Sequence, residues 1–194
     1  MNHLYNIFIK LIDKLILPLF GLFNSKIRRF QKNRLSLIKK INDEVLDKNN
    51  NIWFHVASLG EYEIAVPLIR AIKKKYKKKI ILTFFSESGF KLKKRITEID
   101  KTYYLPLDTK SNAKRFLDAI NPQLVIFIRS EIWPNFLSEI KKREIKCFLV
   151  ESRFKKNSRY LSGIQSILYL GKLKIFHKIF TTDKESKEIL NKVK

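Results

Sequence analysis

The chain has 194 residues, of which 45% are hydrophobic, so it is long enough for one domain with a sizeable core and too apolar for a disordered tail. The formal net charge of +23 at pH 7 points to a polyanionic partner, such as nucleic acid, acidic lipid headgroups or a phosphorylated substrate. Part of this charge is compositional, because lysines are scattered over most predicted helix faces. The single cysteine excludes an internal disulfide, and the three separated histidines lack the spacing of zinc ligands, so no metal is expected.

The amino-terminal segment, residues 4–23 (LYNIFIKLIDKLILPLFGLF), is strongly apolar but is interrupted by polar side chains. At helical spacing Asn6, Lys10, Asp13 and Lys14 fall on one narrow stripe, which predicts an amphipathic helix. Charges near its middle make it a poor transmembrane span, and it lacks the basic cluster and cleavage site of a signal peptide. A helix lying in the membrane interface fits better, and packing against another part of the protein is the alternative.

Basic residues follow this helix and would meet anionic lipid headgroups, each such contact adding about 1 kcal/mol. They are Lys26, Arg28, Arg29, Lys32 and Arg34. We therefore predict that residues 1–35 form a membrane-associated helical segment and that an anionic membrane surface is one partner. The polar stretch at 39–51 ends in three asparagines, which indicates a helix end and a linker.

From residue 52 onward, short apolar runs alternate with helical patterns. This alternation predicts an α/β fold, a Rossmann-like doubly wound parallel sheet, which we assign to residues 36–194. The predicted strands are 52–57, 80–85, 102–105, 123–128, 146–150 and 177–181. The predicted helices are 61–75, 89–98, 110–120, 133–143, 160–173 and 183–192, with a basic loop at 153–159.

Two glutamates follow strands that are neighbours in the predicted sheet. The first strand leads into residues 58–61 (SLGE), and the fourth leads into residues 129–131 (RSE). In the doubly wound order 3-2-1-4-5, strands 1 and 4 are adjacent at the switch point, and ligands bind beyond their carboxyl ends. Glu61 and Glu131 should therefore face one crevice, with Arg129 close by, as a general-base constellation. The alternative is that each glutamate is an ordinary carboxylate at a helix start, stabilised by the helix dipole.

Other chemistries find little support around the first loop. Ser58 lacks the Gly-x-Ser-x-Gly elbow and a nearby histidine with a partner, so it is a poor nucleophile. The loop also lacks the three-glycine dinucleotide fingerprint, so no nicotinamide or flavin cofactor is expected. Cys147 lies in an apolar run and His55 lies in a strand, and both are predicted to be structural.

Five separated motifs resemble, in the same order along the chain, those of the lipid A Kdo transferases, the 3-deoxy-D-manno-octulosonic acid transferases of lipopolysaccharide synthesis. They are 52–61 (IWFHVASLGE), 82–89 (LTFFSESG), 104–108 (YLPLD), 130–135 (SEIWPN) and 150–154 (VESRF). Several motifs in the right order are far more specific than any one alone. The resemblance covers nearly the whole chain.

The resemblance implies a GT-B glycosyltransferase, in which two Rossmann-like domains face a cleft, and this chain corresponds to the amino-terminal domain. Such enzymes transfer Kdo from CMP-Kdo to the primary hydroxyl of a lipid A precursor (lipid IVA), with inversion at the anomeric carbon and without a metal or cofactor. They are peripheral proteins on the cytoplasmic face of the inner membrane. The two phosphates of the acceptor would give the basic surface a partner.

By the same resemblance, Glu61 is the base that accepts a proton from the acceptor hydroxyl. Glu131 is the second essential acid, which would orient Glu61 or the acceptor. Both are the glutamates that the predicted sheet order places together. The residues that we expect to bind substrate are Ser58, Gly60, Arg129, Ser130 and Arg153.

The chain departs from the family pattern in its length and at two positions. It has about half the family's length and stops where a second domain, with most of the CMP-Kdo contacts, would follow. Thr182 replaces the family's glutamine, and Glu151 replaces a small or amide residue. We therefore expect the acceptor site and the base here, and the donor site on a separate carboxyl-terminal half. A fragment, a split enzyme and a decayed gene all fit this pattern.

Two competing hypotheses belong to other functional classes. The first is a membrane-bound remnant that folds but does not catalyse. The second is a basic nucleic-acid-binding module, which requires aromatic side chains exposed among the basic ones. Because Phe84, Phe85 and Phe127 lie in predicted buried strands, no nucleic-acid partner is expected.

Overall fold

The computed structural model describes residues 2–44, 50–90, 98–155 and 163–192. Within these residues the strands are β1 (Asn51–Val56), β2 (Lys79–Phe84), β3 (Lys101–Tyr104), β4 (Pro122–Ile128), β5 (Lys146–Ser152) and β6 (Lys178–Thr181). The helices of the same residues are α1 (Asn2–Leu11), α2 (Leu17–Phe23), α3 (Ser25–Lys32), α4 (Leu37–Glu44), α5 (Leu59–Lys75), α6 (Glu87–Phe90), α7 (Lys110–Ile120), α8 (Pro134–Lys142), α9 (Gly163–Leu173) and α10 (Lys184–Asn191). A π-helical segment, Ile12–Ile16, joins α1 directly to α2.

The strands of the described residues form one parallel sheet in the order β3-β2-β1-β4-β5-β6. Helices connect successive strands and cover both faces, so the predicted Rossmann-like, doubly wound fold is confirmed. The predicted order of the first five strands is correct, and β6 extends the sheet beyond β5. As a result β1 and β4 are neighbours, and the loops that follow them begin side by side.

Side chains of β1, one of the two middle strands, divide between two hydrophobic cores, one on each face of the sheet. Trp53 packs against Phe116 of α7 and Phe136 of α8, with ring centroids 5.1 and 5.5 Å away. The next residue, Phe54, belongs to the opposite core together with Ile69 of α5. Because successive residues of a strand alternate between faces, one continuous apolar run fills both cores.

Most of the helix predicted at 89–98 lies outside the described residues. Residues 89 and 90 belong to α6, residues 91–97 are not described, and residue 98 is not helical. Glu98 and Asp100 form ion pairs with the side of α5, which holds this stretch against that helix before β3 begins. The predicted loop and helix start at 156–162 also lie outside the described residues. The remaining predicted ends agree with the observed ones within two residues.

The amino-terminal segment is helical from residue 2 to residue 23, and its apolar face is exposed. The exposed apolar side chains of this segment are Leu4, Ile7, Phe8, Leu11, Leu15, Leu19, Phe20, Leu22 and Phe23. The four residues of the predicted polar stripe instead face the start of α7, where they line a cavity of about 330 Å³ with residues 109–112. Among the described residues, no helix combines the length and hydropathy needed to span a bilayer.

A turn at Asn24 ends α2 and begins α3. The Asn24 side chain accepts hydrogen bonds from two backbone N–H groups of the new helix, as an N-cap residue does. In the opposite direction, Arg28 donates to the carbonyl oxygens of Gly21 and Leu22 at the end of α2. Arg28 thus satisfies carbonyl groups that a helix end leaves without partners.

The expectation that the basic residues after the helix all face lipid headgroups is wrong for Arg34, which faces the ends of two strands. Its guanidinium donates to the carbonyl oxygens of Phe85 and Leu105, both at 2.8 Å, just beyond the ends of β2 and β3. It also donates to the carbonyl of Phe30 and lies 3.6 Å from the centroid of that ring. Burial lowers the pKa of Arg34 to about 10, so the group stays charged at neutral pH. Backbone carbonyls at strand ends need donors, and this arginine supplies them.

A buried carboxylate makes a second attachment between the amino-terminal helix and the main domain. The Tyr5 hydroxyl donates to Asp108 at 2.7 Å, and Asp108 also accepts the backbone N–H groups of Asn135 and Phe136. These N–H groups belong to the first turn of α8, whose N-cap residue, Trp133, makes no side-chain cap. Asp108 therefore caps α8 from a different loop.

Candidate functional site

The first loop of the site leaves β1 and starts α5. Ser58 is the N-cap residue with an extended backbone (φ −140°, ψ 173°), and Glu61 lies in the first turn. The Glu61 carboxylate turns back to accept the backbone N–H groups of Ala57 and Ser58. This Ser-x-x-Glu arrangement is half of a capping box, because the Ser58 hydroxyl makes no cap hydrogen bond in return. Glu61 is thus a helix-start carboxylate, and any chemical role comes in addition to that one.

The surroundings of Glu61 favour its protonated form. Burial is the largest effect and raises the pKa of this carboxyl to about 7. The negative charge of Glu131 raises the pKa further, whereas the backbone hydrogen bonds and the positive charge of Arg129 act to lower it. A carboxyl that titrates near neutral pH can take up and release a proton under physiological conditions, as a general base must.

The second loop leaves β4 in a left-handed turn at Arg129, whose φ is 66°. The Arg129 N–H donates to the carbonyl of Val150 on β5 at 2.8 Å, which holds this unusual backbone against the sheet. The Ser130 hydroxyl donates to the carbonyl of Arg153 at 3.3 Å and ties the loop after β4 to the loop after β5. Non-glycine residues in this conformation are uncommon, and they concentrate at ligand sites.

Glu131 is oriented by two aromatic side chains. Its Oε2 atom lies 3.2 Å from Nε2 of His55 and accepts a 2.8 Å hydrogen bond from Nε1 of Trp133. His55 is completely buried in β1, and the Glu131 side chain is 16% exposed. The rings of His55 and Trp133 also contact each other edge to face, with centroids 5.6 Å apart. One oxygen of this carboxylate is therefore fixed from two directions.

A cavity of about 260 Å³ lies in front of Glu131. Its lining residues come from five parts of the chain and are Tyr5, Ala57, Phe85, Ser130, Glu131, Ile132, Trp133 and Tyr169. Glu61 is outside this lining, but it is hydrogen-bonded to Ala57, and its pKa responds to the charge of Glu131. The two glutamates lie at the same end of neighbouring strands and interact electrostatically, while the cavity belongs to Glu131.

The other residues expected to bind substrate fall into two groups. Ser58, Gly60, Arg129 and Ser130 lie on the two loops just described. Gly60 is exposed, and apart from its own helix backbone and chain neighbours no atom of the described residues lies within 4 Å of a Cβ built there. The fold therefore does not itself require glycine at position 60. Arg153 lies one strand further along, and its mostly exposed side chain is directed to the start of α10, where its Nε is 3.6 Å from a carboxylate oxygen of Asp183.

Sequence reasoning missed the partner of His55. The prediction treated His55 as purely structural, yet its ring faces Glu131. A signal was present, because a polar ring in a strand of apolar residues must find a hydrogen-bond partner when it is buried. Trp133, two residues after Glu131, was not predicted to donate to it. The Ser-x-x-Glu spacing of residues 58–61 is the sequence signal for the capping contacts of Glu61.

Other candidate groups can be placed within the described residues. No cluster of three or more His, Cys, Asp or Glu side chains there could hold a metal ion. Cys147 is buried, which raises the pKa of its thiol well above the ordinary value. Phe84 and Phe127 are completely buried, as the sequence predicted, whereas Phe85 is partly exposed at the cavity.

Comparison with known proteins agrees with these motifs. Residues 29–194 match the family model described as 3-deoxy-D-manno-octulosonic-acid transferase (kdotransferase). The chain is similar to the 3-deoxy-D-manno-octulosonic acid transferase of Haemophilus influenzae, with 27% identity over 161 residues, covering 82% of this chain and 38% of that protein. It is 34% identical over 117 residues to the transferase of the same name from Rickettsia conorii, covering 59% of this chain and 25% of that one. The chain thus spans less than half the length of these curated relatives.

Solved structures show the same fold at low sequence identity. One is a UDP-N-acetylglucosamine 2-epimerase with a TM-score of 0.54 and 15% identity, covering 75% of this chain and 45% of that one. Another is a proposed UDP-N-acetylglucosamine 2-epimerase from Listeria monocytogenes, with a TM-score of 0.52 and 13% identity, covering 73% of this chain and 42% of that one. At these identities the likeness concerns the fold alone.

Proposed function

Because the chain belongs to the 3-deoxy-D-manno-octulosonic acid (Kdo) transferase family, we propose that it is the acceptor-side half of a Kdo transferase of lipopolysaccharide synthesis. The proposed reaction moves Kdo from CMP-Kdo to a hydroxyl of a lipid A precursor, with inversion at the anomeric carbon and without a metal. One observation carries the proposal. Glu61, in a family motif, has a pKa raised to about 7 and interacts electrostatically with Glu131 across two adjacent loops.

In this mechanism Glu61 acts in its ionised form. It accepts the proton of the acceptor hydroxyl while that oxygen attacks the anomeric carbon of Kdo, and CMP leaves with the electrons of the broken bond. The backbone N–H groups of Ala57 and Ser58 hold the Glu61 carboxylate in place for this step. The negative charge of Glu131 raises the pKa of Glu61, and a base with a pKa near neutral pH can accept a proton readily.

Substrate recognition is assigned to the surface around both loops. We place the sugar end of the acceptor between the exposed backbone at Gly60 and the cavity in front of Glu131. The side chains of Ser58 and Ser130 are hydroxyl groups suited to a carbohydrate. Arg129 and Arg153 would pair with phosphate oxygens of the acceptor, because guanidinium groups bind phosphate in a bidentate way.

The exposed apolar face of the amino-terminal helix supports a peripheral location on the cytoplasmic face of the inner membrane. Its large apolar side chains face outward, whereas its polar stripe faces the protein, which is the reverse of a helix that packs onto a core. Such a face can enter the headgroup region of a bilayer, and the net charge of +23 favours anionic lipids. The acceptor lipid would then lie in the same surface.

A transfer assay tests the proposal. The purified chain is incubated with CMP-Kdo and a lipid IVA acceptor, alone and together with the carboxyl-terminal part of the Haemophilus influenzae relative, and the product is detected by mass spectrometry. We expect the chain alone to bind acceptor and the two halves together to transfer Kdo. Glu61→Gln should lower the rate by about 10²–10⁴-fold, as loss of a general base does.

The matched control is Glu63→Gln, because Glu63 is an exposed glutamate on the same helix. Its rate should stay close to that of the unaltered chain. Absence of transfer in every combination, with the chain folded and acceptor present, would favour the inactive remnant. Near-normal turnover of Glu61→Gln would remove Glu61 as the base.

A further inference from the structure

Four side chains form one hydrogen-bonded series behind the candidate site. Nε1 of Trp53 lies 2.8 Å from Oγ1 of Thr83, and the same oxygen lies 2.8 Å from Nδ1 of His55. On the other side of the ring, Nε2 of His55 lies 3.2 Å from Oε2 of Glu131. Trp53, His55 and Thr83 are all completely buried, so water does not compete for these contacts.

The donors and acceptors of this series set its direction. An indole nitrogen can only donate, so Trp53 donates to the Thr83 oxygen. Thr83 then has a single proton, for which it has two acceptors, Nδ1 of His55 at 2.8 Å and the carbonyl of Phe54 at 3.4 Å. The Thr83 oxygen could also accept from Nδ1–H, but its proton would then be left with the longer contact to Phe54, and Nε2 would face the Glu131 carboxylate without a proton. Donation from Thr83 to Nδ1 avoids both and is therefore favoured. A neutral His55 that accepts at Nδ1 must carry its proton on Nε2, where it faces the Glu131 carboxylate.

We infer that His55 is a positioning residue for Glu131, held by Trp53 and Thr83 in the tautomer that carries its proton on Nε2. The His55 and Trp133 rings both donate to the same oxygen, Oε2, so the Glu131 carboxylate cannot turn away without breaking two hydrogen bonds. The proton arrangement rests on the positions and the donor or acceptor types of these four side chains. Only its catalytic consequence rests on the proposed function.

The consequence concerns the charge environment of Glu61. The charged side chains that act on Glu61 are Glu131 and Arg129, both from the loop after β4. A Glu131 side chain released from His55 could turn into solvent, where its charge would be screened and would act less on Glu61. His55 thus acts on the candidate base, Glu61, by fixing the position of Glu131.

Nuclear magnetic resonance of the intact chain tests the tautomer directly. Long-range proton–nitrogen correlation of the histidine rings, with nitrogen-15 label, shows which ring nitrogen of His55 is protonated. The His55 signals are identified by their loss in His55→Gln, and the exposed His3 and His177 serve as references within the same sample. We expect a single neutral form with the proton on Nε2 at pH 8. A proton on Nδ1, or on both nitrogens, would overturn the inference.

Two substitutions of His55 test the positioning role. The amide of His55→Asn can reach only the place of Nδ1, so it keeps Thr83 and loses Glu131, whereas the longer His55→Gln can reach the place of Nε2 and keeps Glu131. We expect His55→Asn to lower the Glu61 titration midpoint, followed by carbon-13 resonance, and to slow transfer at least about tenfold by loss of one positioned group. His55→Gln should retain the midpoint and most of the rate. A role confined to core packing would give the same effect in both variants and would overturn the inference.

The measurements separate this inference from the proposed function. If the unaltered chain shows no transfer, alone or with the added carboxyl-terminal half, the proposed function fails, while the tautomer and the Glu61 midpoint still decide the role of His55. If circular dichroism shows that neither variant folds, the tautomer of the unaltered chain decides alone.

Discussion

The hydroxyl of Tyr5 and the carboxylate of Asp108 form a 2.7 Å hydrogen bond that joins positions 103 residues apart. Asp108 is completely buried and also caps α8, so a single carboxylate links the first helix of the chain to a helix of the main domain. The amphipathic segment is therefore attached to the sheet domain by specific polar contacts, even though most of its apolar side chains are exposed.

At pH 8, Tyr5→Phe should lower the free energy of unfolding by about 1.5–3 kcal/mol, because it removes a hydrogen bond to the buried Asp108 while keeping the ring. Burial raises the pKa of Asp108 to about 7, so the group is ionised at pH 8. Urea unfolding followed by tryptophan fluorescence measures the change. Tyr76→Phe is the control, since Tyr76 is exposed, and it should change the free energy by no more than about 0.5 kcal/mol. Equal stability of Tyr5→Phe and the unaltered chain would show that this bond makes no net contribution.

Gly89→Ala should destabilise the protein by about 1–3 kcal/mol, the usual cost of overpacking a core. A Cβ at this position would come within 2.2 Å of the ring of Phe84, which is completely buried and cannot move aside easily. Thermal unfolding measures the effect. Gly60→Ala is the matched glycine control, because among the described residues no side chain lies near its added methyl group and alanine suits a helix. Its stability should be unchanged or higher, and a similar loss in both variants would contradict the prediction.

The rate of transfer should rise with pH through a midpoint near 7. In the proposed mechanism Glu61 acts as a base only when ionised, and its pKa is raised to about 7, chiefly by burial. Glu131→Gln removes a negative charge that raises this pKa, so the midpoint should move to lower pH, whatever happens to the maximal rate. Initial rates at saturating substrate from pH 5 to 9 provide the profile. A midpoint that stays in place in Glu131→Gln would show that the two carboxyl groups are not coupled.

The same titration should appear in the stability of the fold. The folded pKa of Glu61 is about 7, and the unfolded value is near 4.3, so between these values the folded state binds more protons. The contribution of this group to stability is therefore complete at low pH and is lost as the pH rises through 7. Glu61→Gln should remove this dependence and gain relative stability at pH 8 compared with pH 4. Parallel pH profiles of the two proteins would refute this expectation.

Substituting Phe20 and Phe23 together by serine should weaken binding to anionic vesicles by about 100-fold or more. Each exposed phenylalanine that enters the bilayer interface contributes about 1.5–3 kcal/mol of apolar burial. Sedimentation with vesicles of mixed anionic and neutral lipids measures binding, and added salt should weaken it. Phe180→Ser, which alters an exposed phenylalanine on β6, is the control and should bind normally.

A second copy of the chain is the competing occupant of this apolar face. Light scattering with and without vesicles distinguishes the two. If the paired substitution converts a dimer into a monomer and leaves vesicle binding unchanged, the face is a subunit interface and the membrane proposal fails.

The fold was predictable because local pattern and overall architecture agree. The apolar runs at β1, β2 and β4 are buried on both faces, and each is bounded by polar or small residues, so strand type and order follow from simple rules. The opposite placement of Trp53 and Phe54 shows why no alternation of polar and apolar residues was needed in these strands.

The site was less predictable, because its contacts depend on groups that meet only in three dimensions. Strand order predicts that Glu61 and Glu131 lie on neighbouring loops. It does not predict that the ring of His55, inside β1, extends far enough toward the end of the sheet to contact Glu131. The chain positions of Arg34 and Asp108 likewise give no indication that one meets strand-end carbonyls and the other caps a distant helix. Such long-range polar contacts carry no periodic signal.

The hydrogen bonds of Arg34 to the carbonyl groups of Phe30, Phe85 and Leu105, which together form the Arg34 clamp, persist over the pH range in which Glu61 titrates. The Arg34 pKa of about 10 lies well above the range in which Glu61 titrates, so the clamp keeps its charge while the carboxyl gains or loses its proton. The pH can therefore be varied between 6 and 8 to change the protonation of Glu61 while Arg34, which follows α3, keeps its hydrogen bonds to the ends of β2 and β3. Burial raises the pKa of Asp108 to about 7 as well, so the contact between Tyr5, Asp108 and the start of α8 titrates in the same interval as Glu61, whereas the contacts of Arg34 do not.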